Sequence, residues 1–330
     1  MKITVIGDGA WGTALAMNLL SNGHEVTIWG AFPDYLEVMR STRRNDRFLK
    51  GVTLPEALQF DADIASAVAG REIILLATPT QFLRGVLKKL ALVSLDKNVI
   101  IVNVAKGIEI DTWFRISEIV EQELGQVRFV ALSGPSHAEE VARSKPTLVT
   151  AASADSEAAE IVQKALMNSN FRVYTSSDVV GVELGGALKN VMAIAAGIID
   201  GMGLGDNPKA AMMTRGICEM GRLGAACGGE EKTFSGLSGI GDLIVTCDSR
   251  HSRNRFVGEE LGKGRKLADI LADMGMVVAE GVWTAKGAYA LARKKQVETP
   301  IIDEIYRILY EDRDVADAIR ALMTRSAKSE

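Results

Sequence analysis

The sequence predicts an α/β fold, in which an N-terminal doubly wound, mostly parallel sheet is followed by an all-helical C-terminal domain. Two observations lead to this prediction. Short apolar or β-branched runs alternate with stretches of helical periodicity before residue 178, a pattern typical of a parallel sheet covered by helices. After residue 175 strand patterns become rare, and helical stretches follow one another. We therefore expect two domains, comprising residues 1–178 and 179–330.

The first elements along the chain form a strand–helix–strand motif. A β-branched strand at 2–6 leads into a glycine-rich turn, and a helix at 13–20 precedes a second strand at 25–29. Such a motif takes about 30 residues. The other predicted strands lie at 73–77, 99–104, 129–132 and 147–151, with helices at 81–92 and 115–124. Helices of the second domain are predicted at 180–201, 209–227, 255–263, 266–274, 284–294 and 301–310.

The composition excludes several functional classes. Of the 330 residues, 47% are hydrophobic and 24% are charged, which is a globular profile. The net charge of −4 provides no basic field for nucleic acid, so no nucleic-acid partner is expected. The three cysteines lack CxxC spacing, and the three histidines lack a metal-binding pattern. We therefore expect no disulfide framework, no metal site and no Cys–His nucleophile pair.

The sequence also bears on location. The N-terminal residues enter a strand at once, which leaves no room for a signal peptide. The longest apolar runs are shorter than the roughly 18 residues that a membrane span needs. We expect a cytoplasmic protein without a membrane span.

The glycine turn, residues 7–12, reads Gly7-Asp8-Gly9-Ala10-Trp11-Gly12. In a dinucleotide-binding motif, Gly7 permits a tight turn, Gly9 lets the backbone approach a pyrophosphate, and Gly12 lets helix and strand pack closely. The following helix N-terminus then faces the negative charge. Because it lies between a strand and a helix, the turn predicts a Rossmann-like domain; a tight turn without a ligand is the alternative. Trp11 either covers the cofactor or packs in the interior.

The sequence does not choose between NAD and NADP. An acid that binds the adenosine ribose is expected roughly 20 residues beyond the glycines. At that place stand Trp29-Gly30-Ala31-Phe32, which include neither an acid nor a base. The arginines of the next segment either reach a 2′-phosphate or form a solvated helix face; they are Arg40, Arg43 and Arg44.

Two lysines occupy positions that favour a functional role. Lys106 follows an apolar strand, and ligands of open α/β sheets bind at the carboxyl ends of strands; an ordinary loop lysine is the alternative. Lys189 lies in a helix of small and apolar residues, close to Glu183 and Asn190. Burial lowers a lysine pKa towards neutrality, which suits a general acid or base. A structural Lys189–Glu183 ion pair is the alternative.

Two further loops carry polar groups. Ser136 is predicted to cap a helix that starts at the next residue, at the end of the loop Ser133-Gly134-Pro135-Ser136. Asp242 follows three glycines in an apolar setting, where a carboxylate needs a partner such as a lysine. Ser252, Arg253 and Asn254 form a donor set that suits a phosphate dianion, with a surface helix cap as the alternative.

Taken in order, these motifs resemble the bacterial NAD(P)-dependent glycerol-3-phosphate dehydrogenase family over essentially the whole chain. The matching segments are the glycine turn, Ala105-Lys106-Gly107, Ser133-Gly134-Pro135-Ser136, Leu188-Lys189-Asn190-Val191, and Gly241-Asp242-Leu243 through Ser252-Arg253-Asn254. The resemblance implies a Rossmann domain and a helical domain with the active site between them. It implies NADH- or NADPH-dependent reduction of dihydroxyacetone phosphate to sn-glycerol 3-phosphate for phospholipid synthesis. It also implies a homodimer and no metal.

The resemblance also implies roles for individual residues. Lys189 matches the lysine that donates the proton to the carbonyl oxygen, and Asp242 and Lys106 match the acid and the second lysine of the catalytic set. Substrate-binding positions are matched by Lys106, Gly134, Ser136, Lys189, Asn190, Asp242, Thr246, Ser252, Arg253 and Asn254. Cofactor-binding positions, including the glycines of the turn, are Gly7, Gly9, Ala10, Trp11, Gly12, Lys106, Ala138, Arg253, Val278 and Glu280.

Two places depart from the family pattern. Ala31 stands where the family often has a basic residue or histidine, so it does not indicate which dinucleotide binds. The segment around Val278 carries a one-residue shift relative to the usual pattern, whereas Glu280 matches it. Alternatives to this function are another two-domain reductase, acting on a β-hydroxy acid or 2-keto acid, and a dinucleotide-sensing protein without turnover.

Overall fold

The computed structural model describes residues 1–327 and 329, so the end of the predicted second domain, Glu330, lies outside the described residues. The chain divides into two compact units. The N-terminal unit comprises Met1–Lys106 and Phe114–Glu183, and the C-terminal unit comprises Gly107–Trp113 and Leu184–Glu330. The predicted domains, 1–178 and 179–330, stay a prediction.

The strands all lie in the N-terminal unit of the described chain. In chain order they are β1 (Lys2–Ile6), β2 (Glu25–Trp29), β3 (Arg44–Asn45), β4 (Leu49–Thr53), β5 (Gln59–Asp61), β6 (Ile73–Leu76), β7 (Ile100–Asn103), β8 (Arg128–Ser133), β9 (Thr147–Ala152) and β10 (Phe171–Ser176). Among the described residues, eight of them form one sheet in the order β10-β9-β8-β7-β6-β1-β2-β5, and β3 pairs with β4. Within the large sheet the β8–β9 pair is antiparallel and the other pairs are parallel. The predicted mostly parallel, doubly wound sheet is confirmed.

The described chain contains every predicted helix in the predicted order, and further helices that the sequence pattern does not predict. They are α1 (Ala10–Ser21), α2 (Pro33–Thr42), α3 (Ile64–Val68), α4 (Thr80–Leu90), α5 (Ile116–Leu124), α6 (Ala138–Val141), α7 (Ser156–Leu166), α8 (Val179–Gly201), α9 (Asp206–Ala226), α10 (Glu231–Phe234), α11 (Asp242–Asp248), α12 (Arg253–Gly262), α13 (Leu267–Met274), α14 (Glu280–Lys295), α15 (Pro300–Tyr310) and α16 (Val315–Met323). A π-helical turn, Leu237–Gly241, precedes α11.

The strand patterning explains the two-faced core of the N-terminal unit. Ile73 and Leu75 of β6 join one apolar cluster, whereas Ile74 and Leu76 join a second. Successive side chains of a strand point to opposite faces, so the sheet is buried on both sides by helices. The continuous apolar run of β6 follows from this double burial.

The sequence pattern does not predict β3, β4, β5 or β10, and β10 (Phe171–Ser176) shows why. Its exposed side chains alternate with buried ones, since Phe171 and Val173 are buried and Arg172 and Tyr174 are not. An edge strand needs apolar residues on one face only. The continuous apolar run that marks the central strands is therefore missing, and a short alternating pattern is a weaker signal.

Helix α8 is the buried centre of the helical region. Its length and composition would allow a membrane crossing, but the whole apolar stretch is buried inside the protein, as in the core helix of a soluble protein. Gly197 and Gly201 on α8 face Gly258 and Gly262 on α12. A Cβ on Gly258 would collide with the carbonyl oxygen of Ile194. The two helix backbones therefore approach closely because glycine removes the side chains between them.

Candidate active site

The glycine turn joins β1 to α1 by close backbone contacts. Gly7 has a φ of 126°, and a Cβ there would lie 2.9 Å from the backbone carbonyl carbon of Ala77. A Cβ on Gly12 would collide with the carbonyl oxygen of Gly7. Both positions therefore require glycine, for the turn and for the close packing of helix on strand.

The same turn leaves room for an anion. A Cβ on Gly9 would meet nothing within 4 Å. Gly9 precedes α1, and no side chain of the described residues caps that helix end. Trp11 packs against the apolar core, and its buried Nε1 has no hydrogen-bond partner among the described residues. Open space beside uncapped N–H groups at a helix N-terminus fits the pyrophosphate of a dinucleotide.

Asp8 is a residue of this turn for which the sequence predicts no role. Its side chain is buried, and its Oδ2 has no hydrogen-bond partner in the described part of the chain. Burial raises the pKa of the Asp8 carboxyl, while the charge of Arg47 acts in the opposite direction. Asn45 fixes the loop, because its Nδ2 donates to the Asp8 carbonyl oxygen at 2.8 Å. The only signal in the sequence was an acid inside a glycine-rich turn.

The three arginines of the segment after β2 are held by protein groups. Arg40 donates to the Phe60 carbonyl oxygen at 2.8 Å, and Arg43 donates to the Leu58 carbonyl oxygen at 2.8 Å. Arg44 pairs with Asp46, and both side chains are about half exposed. Arg40 and Arg43 therefore anchor their segment to the backbone of residues 58–60, whereas Arg44 lies on the surface of the protein.

Lys106 meets the loop after β8. Its Nζ donates to the Gly134 carbonyl oxygen at 2.9 Å and lies 3.3 Å from the Ser136 hydroxyl. The Ser136 hydroxyl itself donates to the Gly134 carbonyl oxygen at 2.8 Å. The predicted helix-capping role of Ser136 is therefore wrong: His137 is the cap residue of α6, and no cap hydrogen bond forms from its side chain. Local turn bonding competes with capping for the same hydroxyl.

Lys189 lies at the centre of a buried polar cluster in the C-terminal unit. Its Nζ lies 3.0 Å from Asp242 Oδ1 and donates to Thr246 Oγ1 at 2.7 Å. Thr246 donates its own hydrogen to the Asp242 carbonyl oxygen at 2.6 Å, which turns an oxygen lone pair towards the lysine. Lys189 is 6% exposed and Asp242 is 1% exposed. The expected lysine partner of Asp242 is confirmed.

Glu183 is not that partner, and the alternative Lys189–Glu183 pair is wrong. Glu183 accepts hydrogen bonds from Arg115 at 2.9 Å and from the Ser117 backbone at 2.8 Å. Burial raises the pKa of Glu183, and the Arg115 charge opposes that shift. Six residues along a helix turn a side chain through roughly 600°, so Glu183 and Lys189 point in different directions.

The π-helical turn places Asp242 against α8. A Cβ on Gly185 would lie 2.5 Å from the Ser238 carbonyl oxygen, so only glycine allows the turn to contact the helix. Insertions of this kind are frequent at functional sites. The carboxylate at the start of α11 thereby reaches an ammonium group far away in the sequence.

Asn190 connects α8 to two other helices. Asn254 Nδ2 donates to Asn190 Oδ1 at 2.9 Å, and the Gly281 backbone N–H donates to Asn254 Oδ1 at 2.9 Å. Ser252 caps α12, because its hydroxyl accepts from the Arg255 N–H at 3.2 Å. Ser252 and Asn254 are buried and Arg253 is exposed. Ser252 therefore caps a helix, as in the alternative interpretation, but of residues 252–254 only Arg253 lies on the surface.

The remaining predicted cofactor contacts lie at helix ends. Ala138 begins α6 and is buried, whereas Glu280 begins α14 and is partly buried, as is Val278 in the preceding loop. Gly281 packs on α8, since a Cβ there would lie 2.5 Å from the Asn190 carbonyl oxygen. Glu280 is thereby fixed next to the Asn190–Asn254 pair.

The described residues include no group of three or more His, Cys, Asp or Glu side chains that could hold a metal ion. Cys247 is buried, and burial raises its thiol pKa to about 12, although the charge of Lys189 opposes this. A thiol with that pKa is not a nucleophile at neutral pH.

A Rossmann-type sheet with an open glycine turn, joined to a helical region with a buried lysine–carboxylate pair, defines a dinucleotide-dependent oxidoreductase. Two family models match the chain: the NAD-dependent glycerol-3-phosphate dehydrogenase N-terminus over residues 2–159 and the corresponding C-terminus over residues 178–320. The chain belongs to the NAD-dependent glycerol-3-phosphate dehydrogenase family.

Individual relatives agree with this assignment. The chain is 50% identical to glycerol-3-phosphate dehydrogenase [NAD(P)+] of Chlorobium phaeobacteroides, over 100% of this chain and 99% of the relative. It is 50% identical to the protein of the same name from Bacillus pumilus, over 98% and 94% of the two chains. The solved structure of the Coxiella burnetii glycerol-3-phosphate dehydrogenase is 38% identical, with a TM-score of 0.94 over 98% of this chain and 99% of that one.

Proposed function

We propose that this protein reduces dihydroxyacetone phosphate to sn-glycerol 3-phosphate in the cytoplasm, with NADH or NADPH, and supplies glycerophospholipid synthesis. One observation supports the mechanism most strongly. Lys189 is an almost fully buried ammonium, held by a buried carboxylate and a hydroxyl. Burying such a charge is costly, and strongly desolvated ionisable groups of this kind concentrate at catalytic sites.

Lys189 acts as the proton donor in this proposal. When bound at the glycine turn, a reduced dinucleotide would supply the hydride for C2 of the substrate. Negative charge then develops on the C2 oxygen, and Lys189 Nζ stabilises it and transfers a proton to it. Asp242 balances the charge of the lysine and holds it in place, because the carboxylate lies 3.0 Å from Nζ. Thr246 fixes the direction of Nζ, because its hydroxyl hydrogen is already donated to Asp242.

The substrate phosphate is proposed to bind at the N-terminus of α12. Arg253 is exposed at the first position of this helix, where the backbone dipole also favours an anion. Lys106, with Gly134 and Ser136, is proposed to contact the substrate as well. Binding energy from the phosphate can position the reacting carbonyl at a distance.

Initial rates of NADH and NADPH oxidation with dihydroxyacetone phosphate test the reaction. Arg253→Ala is expected to raise KM about tenfold or more, since a charge-assisted phosphate contact contributes roughly 1.5–3 kcal/mol. Arg250→Ala is the matched control, because Arg250 is a nearby exposed arginine outside the proposed site. An unchanged KM in Arg253→Ala, or faster turnover of a β-hydroxy or 2-keto acid, would favour another two-domain reductase.

If the wild-type protein binds a dinucleotide but does not oxidise NAD(P)H with any ketone, it would instead be a dinucleotide sensor. A homodimer is also part of the proposal, and light scattering on the purified protein measures it directly. A monomeric mass at assay concentrations would contradict the homodimer and leave the proposed reaction unaffected.

A further inference from the structure

The place where a ribose-binding acid is expected holds a glycine in this chain. Gly30 follows β2 directly, and the next residue, Ala31, carries no charge. In dinucleotide-binding domains an acid near this strand end binds the ribose 2′-hydroxyl, whereas an arginine accommodates a 2′-phosphate. Neither group is present at the strand end itself.

The carboxyl group of Asp8 fills the space beside Gly30. A Cβ on Gly30 would lie 2.9 Å from Asp8 Cγ and 3.0 Å from Asp8 Oδ2. The absence of a side chain at position 30 therefore makes room for a carboxyl group that comes from the glycine turn. The acid reaches the end of β2 from the neighbouring strand instead of from β2 itself.

The surroundings of Asp8 leave this carboxyl group in need of a donor. Asp8 is 8% exposed, and its Oδ2 has no hydrogen-bond partner among the described residues. A buried carboxylate oxygen without a donor is costly. The hydroxyl groups of an adenosine ribose are donors of the required kind, whereas a 2′-phosphate brings further negative charge.

The arginines of the segment after β2 already contact other protein groups. Arg40 and Arg43 bind backbone carbonyl groups, as described above. Arg47 is exposed and stacks on the Tyr35 ring with its guanidinium carbon 4.0 Å from the ring centroid. An exposed charge is screened by solvent more strongly than a buried one.

We propose that Asp8 is the specificity-determining residue for the dinucleotide: it binds the adenosine ribose diol, repels a 2′-phosphate, and makes the protein prefer NADH to NADPH. This inference rests on the proposed function only in that a dinucleotide binds at the glycine turn. It concerns binding and not the chemistry at Lys189.

Titration of the substrate-free protein with NADH and with NADPH, followed by nicotinamide fluorescence, tests the proposal without turnover. Wild-type protein is expected to bind NADH at least about tenfold more tightly, the effect of one hydrogen bond to a charged group. In Asp8→Ala this ratio should fall towards one, mainly because the Kd for NADPH decreases. Asp8→Asn keeps the shape and removes the charge, so it should reduce the ratio even if the alanine variant does not fold.

Asp46→Ala is the matched control, because it removes a carboxylate of the same unit at a half-exposed position. Its NADH-to-NADPH ratio should equal that of wild type. A wild-type preference for NADPH, or an unchanged ratio in both Asp8 variants, would overturn the proposal. Loss of NADPH binding in Arg47→Ala with no effect of the Asp8 variants would also overturn it.

The outcome is separable from the proposed reaction. If the expected binding ratios are found but dihydroxyacetone phosphate is not reduced, the assignment of Asp8 stands and the proposed function fails. If neither dinucleotide binds, the assignment of Asp8 fails.

Discussion

Replacing Lys189 by methionine separates the catalytic role of this lysine from its structural role. Methionine has a similar length but no charge, so the change leaves Asp242, which is 1% exposed, without its cation. Removing one partner of a buried ion pair typically costs about 3–5 kcal/mol of stability. Loss of a general acid reduces kcat by roughly a hundred- to ten-thousand-fold. Lys189→Met should show both effects.

The double variant Lys189→Met/Asp242→Asn tells the two effects apart. It removes both buried charges, so the free energy of unfolding should recover most of the loss seen in Lys189→Met. Its kcat should stay as low as that of the single variant, because the proton donor is still missing. Urea denaturation and stopped-flow NADH oxidation measure the two quantities on the same preparations.

One result would refute the reasoning about Lys189. If folded Lys189→Met or the double variant reduced dihydroxyacetone phosphate within about tenfold of the wild-type kcat, no general-acid contribution of the usual size would remain for Lys189. Restored activity together with restored stability would show that the pair serves only the fold.

Two further predictions concern stability. Burial raises the pKa of Glu219 from 4.5 to about 7, although the carboxyl accepts N–H groups of Ile301 and Ile302. The folded state therefore holds a proton that the unfolded state releases, so stability should fall by roughly 2–3 kcal/mol from pH 5 to pH 8. Glu219→Gln should lack this component in urea titrations, and equal pH slopes would contradict the shift. Gly258→Ala should destabilise by about 3 kcal/mol or more, because its Cβ collides with α8. The control is Gly85→Ala in α4, where the added Cβ meets nothing, and a gain in stability of about 0.5–1 kcal/mol is expected. Thermal unfolding measures both variants. Similar effects of the two changes would contradict the close approach of α8 and α12.

Elements that depend on a local pattern can be predicted from the amino-acid sequence alone. The strand at Lys2–Ile6, the turn at Gly7 and Gly12, and the long apolar helix α8 were predicted close to their observed places. Periodicity and glycine content are local properties, so they can be recognised without tertiary contacts. The order of the polar motifs was sufficient to identify the family, because order and spacing are also properties of the chain alone.

Which polar groups meet depends on contacts between distant parts of the chain. Lys189 pairs with Asp242 and not with Glu183, which is nearer in the sequence. A π-helical turn packed at Gly185 brings the carboxylate of Asp242 to α8. The place of Asp8 beside Gly30 likewise depends on the pairing of two strands. Such contacts join residues far apart in sequence, and no local preference encodes them. Their geometry follows only from the packing of whole helices and strands.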